Sequence, residues 1–159
     1  MGLLVLIRRW CLGLLTVASV LWYVLAGLPQ PLMAEPAENI VIVANQLYPV
    51  SKLTKEQVQE IYLGRRTIEQ FLRIRPIDQS DPAIRTAFLH SVMDLSKEAY
   101  IDHWNRLLFQ QGGLPPLLKD SPDDVIKELL KTDGSIGYLW DQDWTQQSKL
   151  KVLLVVPVR

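Results

Sequence analysis

Gln79, Ser80, Asp81 and Arg85 fall in the stretch PIDQSDPAIRTAF, residues 76–88, where an extended segment turns into a helix through Ser-Asp-Pro. A helix N-terminus presents unpaired backbone N–H groups and the positive end of the macrodipole, so it favours phosphate-like anions. Ser80 would add a hydroxyl donor and Arg85 a cation one turn further in. The same residues also make a complete helix start, because Asp81 suits the N-cap and Pro82 the first helical position. Arg85 stands four residues after Asp81, and an ion pair between them across one turn is the expectation unless a ligand claims the guanidinium.

The rest of the inventory argues against catalysis. The histidines, His90 and His103, lie on predicted helices without cysteines or paired carboxylates at ligand spacing, and His103 belongs to an apolar stripe, so structural or surface roles are expected. No Gly-Lys-Ser/Thr phosphate loop, dinucleotide glycine fingerprint or nucleophile elbow occurs; GSIG lacks the Gly-x-Ser-x-Gly spacing. No cofactor is implied. The remaining acid pairs, Asp123 with Asp124 and Asp141 with Asp143, read as a helix start and a polar turn. Lys and Arg balance Asp and Glu at 17 each, and no basic patch stands out, which excludes a nucleic-acid partner as the expectation.

The elements that would position these residues follow from periodicity. IVIVA, residues 40–44, is an unbroken β-branched run of the kind covered on both faces of a sheet. In SKLTKEQVQEIYLG, Thr54 and Gln57 make a capping box, Val58, Ile61 and Tyr62 share a helical face, and Gly64 is a stop. LRIRPI, residues 72–77, is extended, with Pro76 marking a strand end or an edge. Helices follow from Pro82, with Ile84, Ala87, Phe88 and Val92 on one face, and from Ser96, with Tyr100, His103, Trp104, Leu107 and Leu108 as a stripe. Tyr100 and Trp104 at that spacing read as core residues, with an aromatic ligand wall as the alternative. QQGGLPPLL, residues 110–118, reads as a loop. Ser121 caps a further helix that Gly134 ends, and SIGYLW and LKVLLVVPV are strands. Interleaved helices and strands in a chain of 159 residues predict one compact α/β lobe with helices packed on a small mixed sheet.

The N-terminus is a different material. Arg8 and Arg9 precede CLGLLTVASVLWYVLAGL and then PLMAEPAEN. A positive flank, an apolar stretch and a small residue before polar sequence is the layout of a secretory signal, with Ala34 the last residue before cleavage; the length of the apolar run equally suits an uncleaved membrane anchor. Either way residues 1–34 form the signal or anchor, residues 35–159 the exported domain, and Arg8 and Arg9 stay on the cytoplasmic side. Cys11 lies inside the apolar run, so the exported part has no thiol.

IVIVAN, LTKEQVQEIYLGRR, PIDQSDPAIRTAF, YIDHWNRLLFQQGGLPP and DGSIGY, in this order and spacing, resemble the periplasmic phosphate-binding component of bacterial ABC transporters over nearly all of residues 40–140. The resemblance implies a single lobe of a type-two periplasmic binding protein, not an enzyme, resident in the periplasm and either soluble or tethered. It implies phosphate or another oxyanion as ligand and an ABC permease or another envelope protein as partner. In full-length phosphate binders the segment matching QSDPAIR resembles Arg-Ser-Asp-Gly-Ser-Gly-Thr, whose arginine, second serine, glycine and threonine grip phosphate. Here Gln79 replaces the arginine, Ser80 and Asp81 match, and Ala83, Ile84 and Arg85 replace the serine, glycine and threonine. Binding proteins of this class enclose their ligand between two lobes, whereas this chain supplies one, so a second copy or another protein would provide the opposite wall. Arg65, Arg66, Arg73 and Arg75 add positive potential or form a solvated face. The alternative function is an envelope interaction module that has kept the fold and lost small-molecule binding.

Overall fold

The computed structural model describes residues 38–144 and 149–158. The expectations that concern residues 1–34, including Arg8, Arg9, Cys11 and Ala34, lie outside them. So do residues 145–148 of the connection between the last two strands.

The IVIVA run becomes β1 (Asn39–Asn45), and its neighbours explain its composition. Seven strands occur among the described residues: β1, β2 (Ile68–Glu69), β3 (Leu72–Arg73), β4 (Arg75–Gln79), β5 (Leu117–Lys119), β6 (Ser135–Trp140) and β7 (Leu150–Pro157). Five of them form one sheet in the order β5-β4-β6-β1-β7. β4 runs parallel to β5 and β6, while β1 is antiparallel to both β6 and β7, so β1 alone is reversed in a mixed sheet. Alternation along β1 then feeds two cores. Ile40, Ile42 and Ala44 face one side with Ile136 and Tyr138 of β6, whereas Val41 and Val43 face the other with Ile77 and Leu139.

Among the described residues four helices cover these faces: α1 (Lys55–Tyr62), α2 (Pro82–Ser91), α3 (Lys97–Gln111) and α4 (Pro122–Lys131). The first three bring Val58, Ile61, Tyr62, Ile84, Phe88, Tyr100 and Trp104 to the first core, and α4 brings Val125, Ile126 and Leu129 to the second. Each start is built as its sequence reads. Thr54 and Gln57 close a capping box, Asp81 accepts from the Ala83 N–H, Ser96 from that of Ala99, and Ser121 from that of Asp124.

Three expectations change. The 110–118 stretch is not all loop: α3 runs on to Gln111, Gly112 closes it in the left-handed conformation, and β5 begins directly after the two prolines. Composition hides this strand because it has only three residues and pairs along one side. The extended segment around Pro76 divides into β3 and β4, and β4 lies inside the sheet; Pro76 is tolerated because it sits at the strand's start, before pairing with β5 begins at Ile77. In the α3 stripe, Tyr100 and Trp104 are buried, but Leu108 turns outward at 42 % exposure.

The hairpin β2-β3 is folded back on the sheet, with Gln70 and Phe71 both at positive φ in its turn. Its return strand packs against Gly134, where φ is +76° and a Cβ would lie 2.2 Å from the Arg73 carbonyl oxygen. Gly112 has a similar φ of +65° and open space around it. Gly112→Ala is therefore expected to cost only the left-handed backbone, about 1 kcal/mol, and Gly134→Ala at least about 3 kcal/mol because the hairpin must also move. Urea unfolding of both variants checks this; equal losses would show that the contact with Arg73 is easily relieved.

Candidate functional site

β4 carries Ile77 into the α4 side, so the next residue, Asp78, points to the opposite face, into the core beneath α2 and α3. A carboxylate only 4 % exposed must be matched by donors. Oδ1 accepts from the Tyr138 hydroxyl at 2.5 Å and from the Gln79 backbone N–H at 2.8 Å, and Oδ2 receives Arg85 Nη2 at 2.9 Å. Tyr138 is held in place by the Phe88 ring, stacked on it with centroids 3.9 Å apart and planes within 1°, and Tyr62 meets Phe88 edge-on at 4.8 Å.

Arg85 therefore pairs with Asp78 and not with Asp81. Two causes act together. The Asp81 carboxylate is exposed and already caps α2 through the Ala83 N–H at 2.8 Å, whereas Asp78 is buried and needs a countercharge. The other sequence-derived positions are also committed. Ser80 donates its hydroxyl to Asp120 Oδ1 at 3.0 Å and its N–H to the Lys119 carbonyl. Gln79 is buried and donates Nε2 to the Tyr138 carbonyl at 2.5 Å.

Above the ion pair lies an open cavity of about 250 Å³, walled by Asp78, Arg85, Tyr100, Trp104, Asn105 and Leu118. Of the four residues marked from the sequence, only Arg85 reaches it; Gln79, Ser80 and Asp81 do not. Three of its lining residues carry buried donors: Arg85 Nε has no acceptor among the described residues, and Trp104 Nε1 faces the Tyr100 oxygen, which leaves the Tyr100 O–H without an acceptor. Sequence reasoning placed Tyr100 and Trp104 in the core, which they are, and missed that the Tyr100 O–H is left over. Asp78 was legible only as an acid flanking the α2 cap, not as a buried partner of Arg85. The available signal was an acid following Ile77 in an interior strand, seven residues before an arginine on the next helix.

His103 has the structural role expected of it, with Nε2 2.9 Å from the Leu63 carbonyl. Among the described residues no group of His, Cys, Asp or Glu is arranged to hold a metal ion, and no helix is long and apolar enough to cross a membrane.

The fold and its acid-arginine junction can be set beside known proteins. The chain has the architecture of one lobe of a type-two periplasmic binding protein. It superimposes on an ABC-type phosphate transport receptor from Vibrio cholerae with TM-score 0.57 and 17% identity, covering 77% of this chain and 55% of that one. A phosphate ABC transporter substrate-binding protein from Clostridium perfringens, with phosphate bound, gives 0.59 and 18%, covering 74% and 45%. PstS from Borrelia burgdorferi gives 0.52 and 15%, covering 74% and 47%. The chain thus spans about half the length of the receptors it matches. No family model matches the sequence, and no curated protein does.

The tyrosines around the acid carry a pH signature. Burial, and next to it the Asp78 charge, holds the Tyr138, Tyr62 and Tyr100 hydroxyls well above their usual range. Burial, then Glu69, raises Tyr48 to about 12. A raised folded-state value means that the folded chain keeps protons the unfolded chain releases above about pH 10. Their contribution is complete below pH 10 and is lost as pH climbs through the folded values, at about 1.4 kcal/mol per pH unit for each group. Urea midpoints measured from pH 8 to 11 should fall steeply past 10. Tyr100→Phe, which removes a hydroxyl whose proton has no acceptor among the described residues and gives up only the contact with Trp104, should cost about 1 kcal/mol at pH 8 and flatten that fall; stability constant to pH 11 would contradict the burial argument.

Proposed function

We propose that this protein is an exported, non-catalytic lobe of the substrate-binding type that holds a phosphate-like oxyanion weakly, as an accessory of an ABC-type phosphate transport system. Residues 1–34 act as its signal or anchor and residues 35–159 as its periplasmic domain, soluble or tethered. The observation that carries the ligand is the pair of donors without acceptors beside one cavity, the Arg85 Nε–H and the Tyr100 O–H, with the Trp104 indole N–H turned to the Tyr100 oxygen. Donors without acceptors call for a ligand that brings several oxygens and no hydrogens to give. The likeness of the fold to phosphate receptors supports the same class. This reading moves the ligand from the α2 cap, where Gln79, Ser80 and Asp81 stand, to the cavity that Arg85 enters.

Weak binding follows from two features. Asp78 cancels much of the Arg85 charge, and the cavity is open to solvent on one side. An ABC permease, another envelope protein or a second copy of this chain would supply the opposite wall. A second reading, an interaction module without a small-molecule site, is favoured by one fact: Ser80, Asp81 and the Arg85 Nη2 all have protein partners already.

Thermal unfolding of the full chain separates the two. With a Kd on the order of 1 mM, 10 mM phosphate should add about 1.4 kcal/mol, a rise of roughly 3–6 °C over chloride at matched ionic strength. Tyr100→Phe and Trp104→Phe should each reduce the rise. Absence of any shift with phosphate, sulfate and small carboxylates would reject the oxyanion site and leave the interaction module.

A further inference from the structure

A second and larger cavity, of about 590 Å³, lies at the other end of β4, walled by the β2-β3 hairpin, by residues 112–115 and by the end of α4. It meets the first cavity only at Trp104 and Pro115, which line both. We propose that it binds an organic anion, a molecule that joins one phosphate or carboxylate group to an apolar body. The proposal is independent of the oxyanion site around Arg85.

Charge supplies the first argument. Arg66, Arg73, Arg75 and Glu128 line the cavity. Arg66 is neutralised by Glu69 at 2.6 Å, with Glu60 3.7 Å away, and Glu128 is matched by Lys119 at 2.9 Å. Arg73 and Arg75 form no ion pair among the described residues, so two positive charges remain uncompensated. They flank the junction of β3 and β4, both are exposed, and both line the cavity beside the buried Ile74 between them. Two guanidinium groups in the wall of one cavity match the forked geometry of a phosphate or carboxylate.

The walls supply the second argument. Ile61, Ile74, Trp104 and Leu107 form an apolar floor, and Leu114 and Leu117, 76 % and 50 % exposed, stand at the rim. Inorganic phosphate would leave this surface wet, whereas an apolar body would cover it. The volume is that of a metabolite-sized site. Gly113 lets the turn lie close on Leu107, since a Cβ there would be 2.8 Å from Leu107 Cγ. The arginines that sequence reading could assign only to positive potential or a solvated face are in this way divided: Arg66 is a tied wall residue, and Arg73 with Arg75 make the anion contact.

The test is thermal unfolding of the full chain in phenyl phosphate, inorganic phosphate and benzyl alcohol at equal concentration and ionic strength. Phenyl phosphate should raise Tm by on the order of 5 °C once it exceeds its Kd several-fold, more than either of the others. The double variant Arg73→Ala with Arg75→Ala should lose that extra rise, Arg73→Lys with Arg75→Lys should keep a part of it, and Tyr100→Phe should leave it intact. An equal rise with inorganic phosphate and phenyl phosphate, or an extra rise that survives the double alanine variant, would overturn the proposal. So would no response to phenyl phosphate, and that outcome says nothing against the first site if inorganic phosphate still acts through Tyr100.

Discussion

A carboxylate buried in the middle of a sheet is the constraint from which most of this structure follows. Asp78 is nearly free of water, and the cost of leaving a charge unmatched there far exceeds what one packed side chain returns. It is met from three directions: by the backbone of its own strand, by Tyr138 of the neighbouring strand and by Arg85 of the following helix. Satisfying one acid therefore fixes how α2 sits on β4 and β6. The Phe88–Tyr138 stack lies under the same joint, so apolar packing and polar matching hold one helix to one place.

The same constraint shapes what the protein can bind. Arg85 gives one arm to Asp78 and keeps Nε in reserve beside Tyr100 and Trp104. The residues at the α2 cap are consumed by the turn itself, so a helix start that resembles a phosphate cradle serves here as a joint. Positive charge that is free of such duties is found at the other end of β4, on Arg73 and Arg75. Trp104 stands between the two cavities, its ring forming a wall of each. The chain spans about half the length of the receptors whose lobe architecture it shares.

Local signals were legible wherever they belonged to one element. The β1 run announced a strand buried on both faces because its neighbours need nothing from it but apolar surface, and the caps of α1 to α4 were readable since each is closed within a few residues. What was hidden depended on partners far away in the chain. β5 is three residues long and exists only because β4 lies beside it, and the β2-β3 hairpin turns on Gln70 and Phe71, residues that do not advertise a turn. Arg85 was visible as a candidate, yet its partner was misplaced: helical spacing offered Asp81, while burial in the sheet selected Asp78. The unmatched O–H of Tyr100 was invisible for the same reason, because periodicity reports that a side chain faces the core and not whether its polar end is satisfied there.

The claim that this ion pair organises the lobe is tested most directly by a double-mutant cycle on Asp78→Asn, Arg85→Met and the two together, followed by urea unfolding. Each single change should cost about 2–4 kcal/mol, since each leaves a buried group without its counterpart, and the double variant should recover on the order of 2 kcal/mol of the summed loss. Losses that add to within about 0.5 kcal/mol would mean that Asp78 and Arg85 act separately, and the joint would have to be sought in the packing of Phe88 and Tyr138 alone.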